Sequence, residues 1–421
     1  MIKKYIIFFF INFIGFCLLA QNNIVDDVKI QGNKKIKASF LKHISVLKPN
    51  AKLDSLIIEQ DIIRLKRLPA VSHAYYQVFK SHDNHYNVFY NIEENFTLIP
   101  NLSLYTTNND EFAYRIGVTE YNLFGSNIGL GVFYQKDVYD SYAVNFRAPY
   151  LFSNTFGLAI NYQDLTTQEP VFFDNTTANY KYNNTSIEAL GLYELNFKNR
   201  IEFGFNYFVE DYNYKSGATN PNVPQELNVD KWLVKGIYEF NNLNYNYQYV
   251  SGFRNMLNLQ YVTSTDDALQ DFFIGWNDFY YFKRLGAKGN WANRMRIGFS
   301  KNDKTPFAPF SVDNNINIRG VGNTIDRGTG SIVFNTEYRY TLYDKNWFCL
   351  QGNTFVDAGT WRNPGGNLSD LTNSDNIKLY SGIGMRFIHK KIYNAIFRID
   401  YGFGLTKGET KGLVFGIGQY F

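Results

Sequence analysis

The 421-residue chain has two cysteines, Cys17 and Cys349. Cys17 lies in a segment that reads as an export leader, so the mature chain keeps no partner for Cys349, and disulfide cross-linking is excluded as a source of stability. Beyond that leader no apolar run is long enough to cross a bilayer as a helix. Charge of one sign is also lacking. The net charge of +4 is spread along the sequence, which implies no nucleic-acid partner. Histidine is scarce: there are five, and no pair has metal-site spacing with a cysteine or carboxylate partner, so neither a metal nor another cofactor is expected. What the chain has in excess is aromatic residues, 33 Tyr and 38 Phe, or 18% with Trp, at a mildly negative mean hydropathy. A transmembrane β-barrel combines these properties. Its outward positions form an apolar band with aromatic girdles while its inward positions are polar, so the average conceals the membrane signal.

Residues 1–20 have the order of a secretory signal: Lys3 and Lys4, an apolar run from Ile6 to Leu19 interrupted at Asn12, then Ala20 before the polar Gln21-Asn22-Asn23. The mature chain is expected to begin near Gln21. A lipoprotein reading of Cys17 is disfavoured by the bulky Phe16 before it.

Residues 21–95 differ in character from the rest of the mature chain. Ile24 to Ile30 reads as a strand closing at Gly32-Asn33, and Lys37 to Leu47 as a helix. Asp54 is placed to cap a second helix with Ile58, Ile62 and Leu65 on one face, which Pro69 stops. Val71 to Lys80 and His85 to Glu93 read as a hairpin turning at Ser81 to Asn84. The result is a small α+β domain ordered strand, helix, helix, strand, strand.

From Phe96 to Phe421 the pattern is strand after strand, about sixteen in all, each roughly the 9 to 11 residues that a tilted transmembrane strand needs. Val333, Asn335, Glu337 and Arg339 share one face of Ser331 to Leu342, against Ile332, Phe334, Tyr338 and Tyr340. Leu413 to Phe421 alternates apolar residues with glycines. Connections alternate in length, as they do in barrels with short periplasmic turns and long outer loops. Asn122 to Gly125, Tyr150 to Ser153, Phe197 to Asn199, Arg284-Leu285 and Tyr343 to Asn346 read as turns. Leu165 to Asn184, Asn213 to Asp230, Lys301 to Gly330 and Thr360 to Ile377 read as long loops. Asn242 to Gly252 is longer than a turn but sits on the short side. An even strand count places both barrel ends, and hence residues 21–95, in the periplasm.

Five segments carry a family resemblance. They are the N-terminal domain with its Gly32-Asn33 turn and Ile92-Glu93-Glu94 end; Asn122-Leu123-Phe124-Gly125 with Gly129 and Gly131; Ala148-Pro149-Tyr150-Leu151-Phe152; Ile318-Arg319-Gly320 in the longest loop; and Phe355-Val356-Asp357-Ala358-Gly359, with Phe421 last. In this order they resemble the outer-membrane-protein-85 superfamily, of the BamA, TamA and two-partner-secretion transporter type, in a short form with a single POTRA module. The resemblance covers nearly the whole mature chain. It implies a POTRA domain over 21–95 and a Gram-negative outer-membrane barrel over 96–421. It also implies a loop folded into the barrel, its Arg319 and Gly320 latched to the lumen-face carboxylates Glu337 and Asp357, and a seam between Thr97–Thr106 and Leu413–Phe421 that opens for strand addition. Gly416 and Gly418 would weaken that seam, and Phe421 would end the last strand at the periplasmic interface. The implied partners are an unfolded outer-membrane or secreted polypeptide, outer-membrane lipid, and periplasmic or outer-membrane accessory proteins. The implied activity is insertion or translocation of that polypeptide, not enzymatic chemistry. No nucleophile elbow is present, and His389 is the sole histidine of the barrel region. The alternative is a passive solute porin, which would leave the N-terminal domain and the Arg319 loop without a purpose.

Overall fold

The computed structural model describes residues 23–106, 112–136, 138–173, 176–220, 225–266, 269–301, 308–312, 317–321, 326–406 and 410–421. The leader expected over 1–20, and Gly322 in the longest loop, lie outside them.

The N-terminal module consists of β1 (Ile24–Gln31), α1 (Ala38–Ile44), α2 (Ser55–Lys66), β2 (Val71–His82) and β3 (His85–Glu94). β3 is central, with β1 parallel on one side and β2 antiparallel on the other. The two helices cover one sheet face and bury Leu41, Ile44, Ile58 and Leu65 against Val25, Val28 and Val88. The Asp54 carboxylate accepts from the Leu56 amide and so starts α2. α1 is shorter than the helix expected over Lys37 to Leu47, and the reason is Asp61. Its buried carboxylate accepts from the Val46 amide at 2.8 Å and the Leu47 amide at 3.0 Å, drawing the chain out of the helix after Ile44. The Tyr90 hydroxyl donates to the same group, and burial, then the Asp61 charge, push that phenol well above its ordinary range.

Among the described residues after the module, seventeen strands close into one barrel, of which Asn244–Asn246 is a three-residue fragment, leaving sixteen long ones. Consecutive long strands pair antiparallel, and the last, Lys411–Ile417, neighbours the first, Leu98–Thr106. Inward and outward positions alternate. On Gly330–Asp344, Val333, Asn335, Glu337 and Arg339 are buried while Phe334, Tyr338 and Tyr340 are exposed. Phe203, Phe205, Leu413 and Phe415 stand out on the exterior, each more than half exposed, as the lipid face of a transmembrane barrel requires.

Besides the expected loop Asn213 to Asp230, which is strand as far as Gly217 and again from Glu226, two expected elements differ. Leu165 to Asn184 is not a loop. The strands Phe156–Phe173 and Thr176–Asn196 stay in register from Leu165↔Asn184 out to Phe173↔Thr176. With 18, 21 and 19 residues, these two strands and Asn199–Gly217 far exceed a membrane-crossing length. The asparagines and threonines of this fringe read as loop, but Asn183 donates across the pair to Asp164 and Thr166, and tyrosines tie Thr176–Asn196 to the following strand: Tyr182 packs on Tyr212 at 4.8 Å and Tyr180 on Tyr214 at 5.7 Å between ring centroids. The second difference is the unusually long turn at Asn242 to Gly252. Asn244–Asn246 folds back there on Tyr249–Ser251 and forms part of the seat for the N-terminal module.

That seat is polar and specific. Arg67, capping α2, donates to the carbonyls of Phe197, Asn241 and Leu243, and Arg64 pairs with Glu194 of the barrel, both side chains nearly buried. The Lys37 amide donates to the Gly125 carbonyl at 3.0 Å, Phe40 packs on Tyr150, and His73 stacks on Tyr247 at 4.6 Å. Of the turns read from sequence, Asn122 to Gly125, Tyr150 to Ser153 and Phe197 to Asn199 thus meet the module, which lies across the short-turn end of the barrel.

Candidate functional site: an arginine latch in the lumen

The longest loop, between Gly289–Ser300 and Gly330–Asp344, returns into the barrel. Its described flanks form a small antiparallel pair, Phe310–Val312 with Asp326–Gly328. Val312, Ile318 and Val321 pack with Trp361 and Tyr380 of the wall. This apolar patch delivers Arg319 to the inner face of the wall, fully buried. At Gly320 the loop lies directly on the wall: φ is +96°, and a Cβ there would fall 2.6 Å from the Gly402 carbonyl carbon. Only glycine meets both demands. Thr410 fixes the far side by donating to the Gly320 and Val321 carbonyls.

Strand pairing decides what Arg319 meets. Glu337 and Asp357 lie on adjacent strands, their side chains inward, with Asn335 opposite Asp357 in register. The Arg319 side chain spans both acids. Nε and Nη2 donate to Asp357 at 2.8 and 2.9 Å, Nη1 donates to Glu337 at 2.5 Å, and the Arg319 backbone amide adds a third bond to Asp357 at 3.0 Å. A planar, permanently charged fork suits this arrangement, where an ammonium would reach one acid at a time. The guanidinium is also held between two rings, with Phe355 at 3.7 Å and Tyr420 at 4.4 Å from its central carbon.

Around this contact lies a wider network. Asp400 sits 3.8 Å from Arg319 and accepts from Arg386 at 2.8 Å. Arg386 and Arg339 both reach Glu337, and Arg398 lies 3.5 Å from Asp400. Four arginines, 319, 339, 386 and 398, therefore share three carboxylates, Glu337, Asp357 and Asp400, all nearly buried. Burying a charge costs several kcal/mol unless it is paired, and each carboxylate of the group has at least one arginine partner. Arg398 and Asp400 could have been found from sequence, since they alternate with the outward Ile399, Tyr401 and Phe403.

The chain end is placed differently from expectation. The last strand stops at Ile417, and Gly418 at φ +87° turns the chain off the wall. Phe421 does not extend the lipid-facing row of Leu413, Phe415 and Ile417. It packs inward near Leu243, Phe282 and Ala292, with its backbone oxygen accepting from Arg339 at 3.3 Å. The physical reason is the arginine cluster: Tyr420 offers its ring to Arg319 and Arg398, and Phe421 to Arg339. Gly416 serves the same cluster, because a Cβ there would lie 2.5 Å from the Arg398 guanidinium. Its absence of a side chain makes room for an arginine.

No family model matches the chain, and no curated protein is similar to it in sequence. Solved structures are similar in fold. BamA from Haemophilus ducreyi lacking POTRA domains 1–3 matches over 93% of this chain and 84% of its own, at a TM-score of 0.52 and 16% identity. CdiB from Acinetobacter baumannii matches over 94% and 73%, at 0.56 and 14% identity. CdiB from Escherichia coli matches over 93% and 75%, at 0.59 and 10% identity. The fold of this chain is thus that of the BamA and CdiB structures.

Proposed function

We propose that the protein is an outer-membrane barrel that handles an unfolded polypeptide, inserting it into the membrane or passing it across, with residues 21–95 acting as a POTRA-like periplasmic module that receives the client. The observation that carries this reading is the open edge of β2. β2 is the outer strand of its sheet, and from Tyr75 onward it exposes Tyr75, Val78 and Phe79. Soluble proteins guard long apolar edges against unwanted pairing, so an unguarded one suits strand addition by a partner. The likeness to BamA and CdiB structures and the internal arginine latch agree with this role. The module across the turn end of the barrel and the loop inside it give a steady open solute pore less support. The reading takes the protein as non-enzymatic, with outer-membrane lipid and periplasmic or outer-membrane accessory proteins as further partners.

A photo-crosslinking residue in place of Phe79, used in intact cells, tests this directly. The reading expects trapping of an extended outer-membrane or secreted polypeptide, loss of that client's normal level when residues 24–95 are deleted, and low or flickering conductance in bilayers. A steady pore with client levels unchanged by the deletion would replace it with a passive porin.

A further inference from the structure

At the tip of the N-terminal module, one full strand away from the barrel seat, three strand ends bring Asp26, His82 and His85 together. His82 ends β2 and His85 begins β3, and the two are cross-strand partners flanking the Asp83-Asn84 turn. Their rings stack at 4.0 Å between centroids, 15° apart. Asp26 comes from β1. The β1–β3 register skips between Val25 and Asp27, and this bulge turns the Asp26 carboxylate toward the two imidazoles. Its oxygens lie 2.6 Å from His85 Nδ1 and 3.5 Å from His82 Nδ1. All the donor atoms fall within 4.8 Å of one another.

We propose that Asp26, His82 and His85 form a binding site for a divalent transition-metal ion of the zinc class, which ties the first strand of the mature chain to the tip of the hairpin. Two imidazoles and one carboxylate select borderline ions such as Zn2+ over Mg2+ or Ca2+, which take oxygen ligands. Two ligands on one tetrahedral zinc stand about 3.3 Å apart, given metal bonds of about 2.0 to 2.1 Å. The His82 and Asp26 atoms already have that spacing, and the His85 contact needs to open by well under an ångström. His82 is 63% exposed in its side chain, which leaves it free to swing in and leaves the remaining coordination position to water. Asp83 is not a ligand, since it pairs with Lys80 at 3.0 Å. The sequence hides this site because its ligands are separated by nearly the whole module: His82 and His85 are three apart, but Asp26 precedes them by two helices.

The test uses the full chain in detergent, stripped with a chelator and titrated with Zn2+ in a calorimeter. One zinc per chain is expected for the native protein and no comparable binding of Mg2+. His82→Ala, His85→Ala and Asp26→Asn should each weaken zinc by at least the roughly 10- to 100-fold that loss of a ligand's supporting partner alone brings. Zinc should also slow amide exchange in β1 of the native chain and not of the variants. Unaltered circular dichroism and heat-modifiability would show that the variants remain folded, as expected for partly exposed side chains outside the core. A native chain that takes up no zinc, or a triple variant that binds it as well as the native chain does, would reduce the cluster to a histidine–carboxylate ion pair and overturn the proposal.

Discussion

Replacing Arg319 with alanine removes three side-chain hydrogen bonds to carboxylates and both ring faces of the sandwich. The two acids do not lose equally. Glu337 keeps Arg339 and Arg386, whereas Asp357 is left with Asn335 and the backbone amide of residue 319. The cost is therefore that of stranding one buried carboxylate, about 3 to 5 kcal/mol. At about 1.4 kcal/mol per factor of ten, this shifts the docked loop toward release by roughly two to three and a half orders of magnitude. Amide exchange and limited proteolysis of the folded barrel in detergent would read the change within Lys301 to Gly330. Arg319→Lys should recover only part of the protection. Because the penalty resides on Asp357, Asp357→Ala alone should resemble Arg319→Ala, and the double variant should be little worse than either. Strictly additive losses, or a loop equally protected in Arg319→Ala, would refute the assignment of the docking energy to this pair.

The same geometry sets three other outcomes. Gly320→Ala should release the loop with every latch charge intact, since its Cβ would collide with the Gly402 backbone; proteolysis of the loop checks this. Arg64→Glu should undock the N-terminal module by facing Glu194 with a like charge, and adding Glu194→Arg should restore docking, as a cysteine crosslink from Tyr150 to Phe40 would show. Burial, then the Lys66 charge, lower the His73 pKa, so the docked state favours neutral His73. Its contribution at the Tyr247 stack is complete above the free-histidine value of about 6.5 and is lost as pH falls through the lowered one; fluorescence of a probe at the interface, followed from pH 8 to 5, measures it.

Period-two alternation makes most of this structure legible. It puts Glu337 and Asp357 on the inner wall because a strand has only two faces and Phe334, Tyr338, Tyr340 and Val356 occupy the outer one. Turn chemistry and helix caps give the module its order, with Asp54 as the clearest signal. The features that stay hidden depend on contacts between distant segments. The end of α1 is set by Asp61, which lies in the next helix. The ladder beyond Leu165 is backed by tyrosines on the next two strands, Thr176–Asn196 and Asn199–Gly217, and its polar sequence looks like a loop when taken one strand at a time. The inward turn of Tyr420 and Phe421 needs the arginines of other strands as its cause, so a terminal aromatic after alternating apolar residues reads, in the sequence alone, as one more lipid-facing position.

That inward turn joins the two ends of the proposed mechanism. Tyr420 lies three residues beyond the last strand and forms one face of the Arg319 sandwich, so the seam strand and the inserted loop share a side chain. Displacing the chain end, as opening between Leu98–Thr106 and Lys411–Ile417 would do, takes a ring away from a desolvated guanidinium. A cation–π contact of this kind contributes about 2 kcal/mol when shielded from water, and Tyr420 is nearly buried. Tyr420→Ala should therefore loosen the Lys301 to Gly330 loop measurably, though less than Arg319→Ala, because the carboxylate bonds remain. In an Arg319→Ala background the same substitution should add almost nothing to loop release, since the ring has lost the cation through which it touches the loop and its remaining cation, Arg398, belongs to the wall. Loop exchange rates in the four proteins of this cycle decide the matter: a coupling near zero would mean that the chain end and the latch are neighbours without being energetically joined.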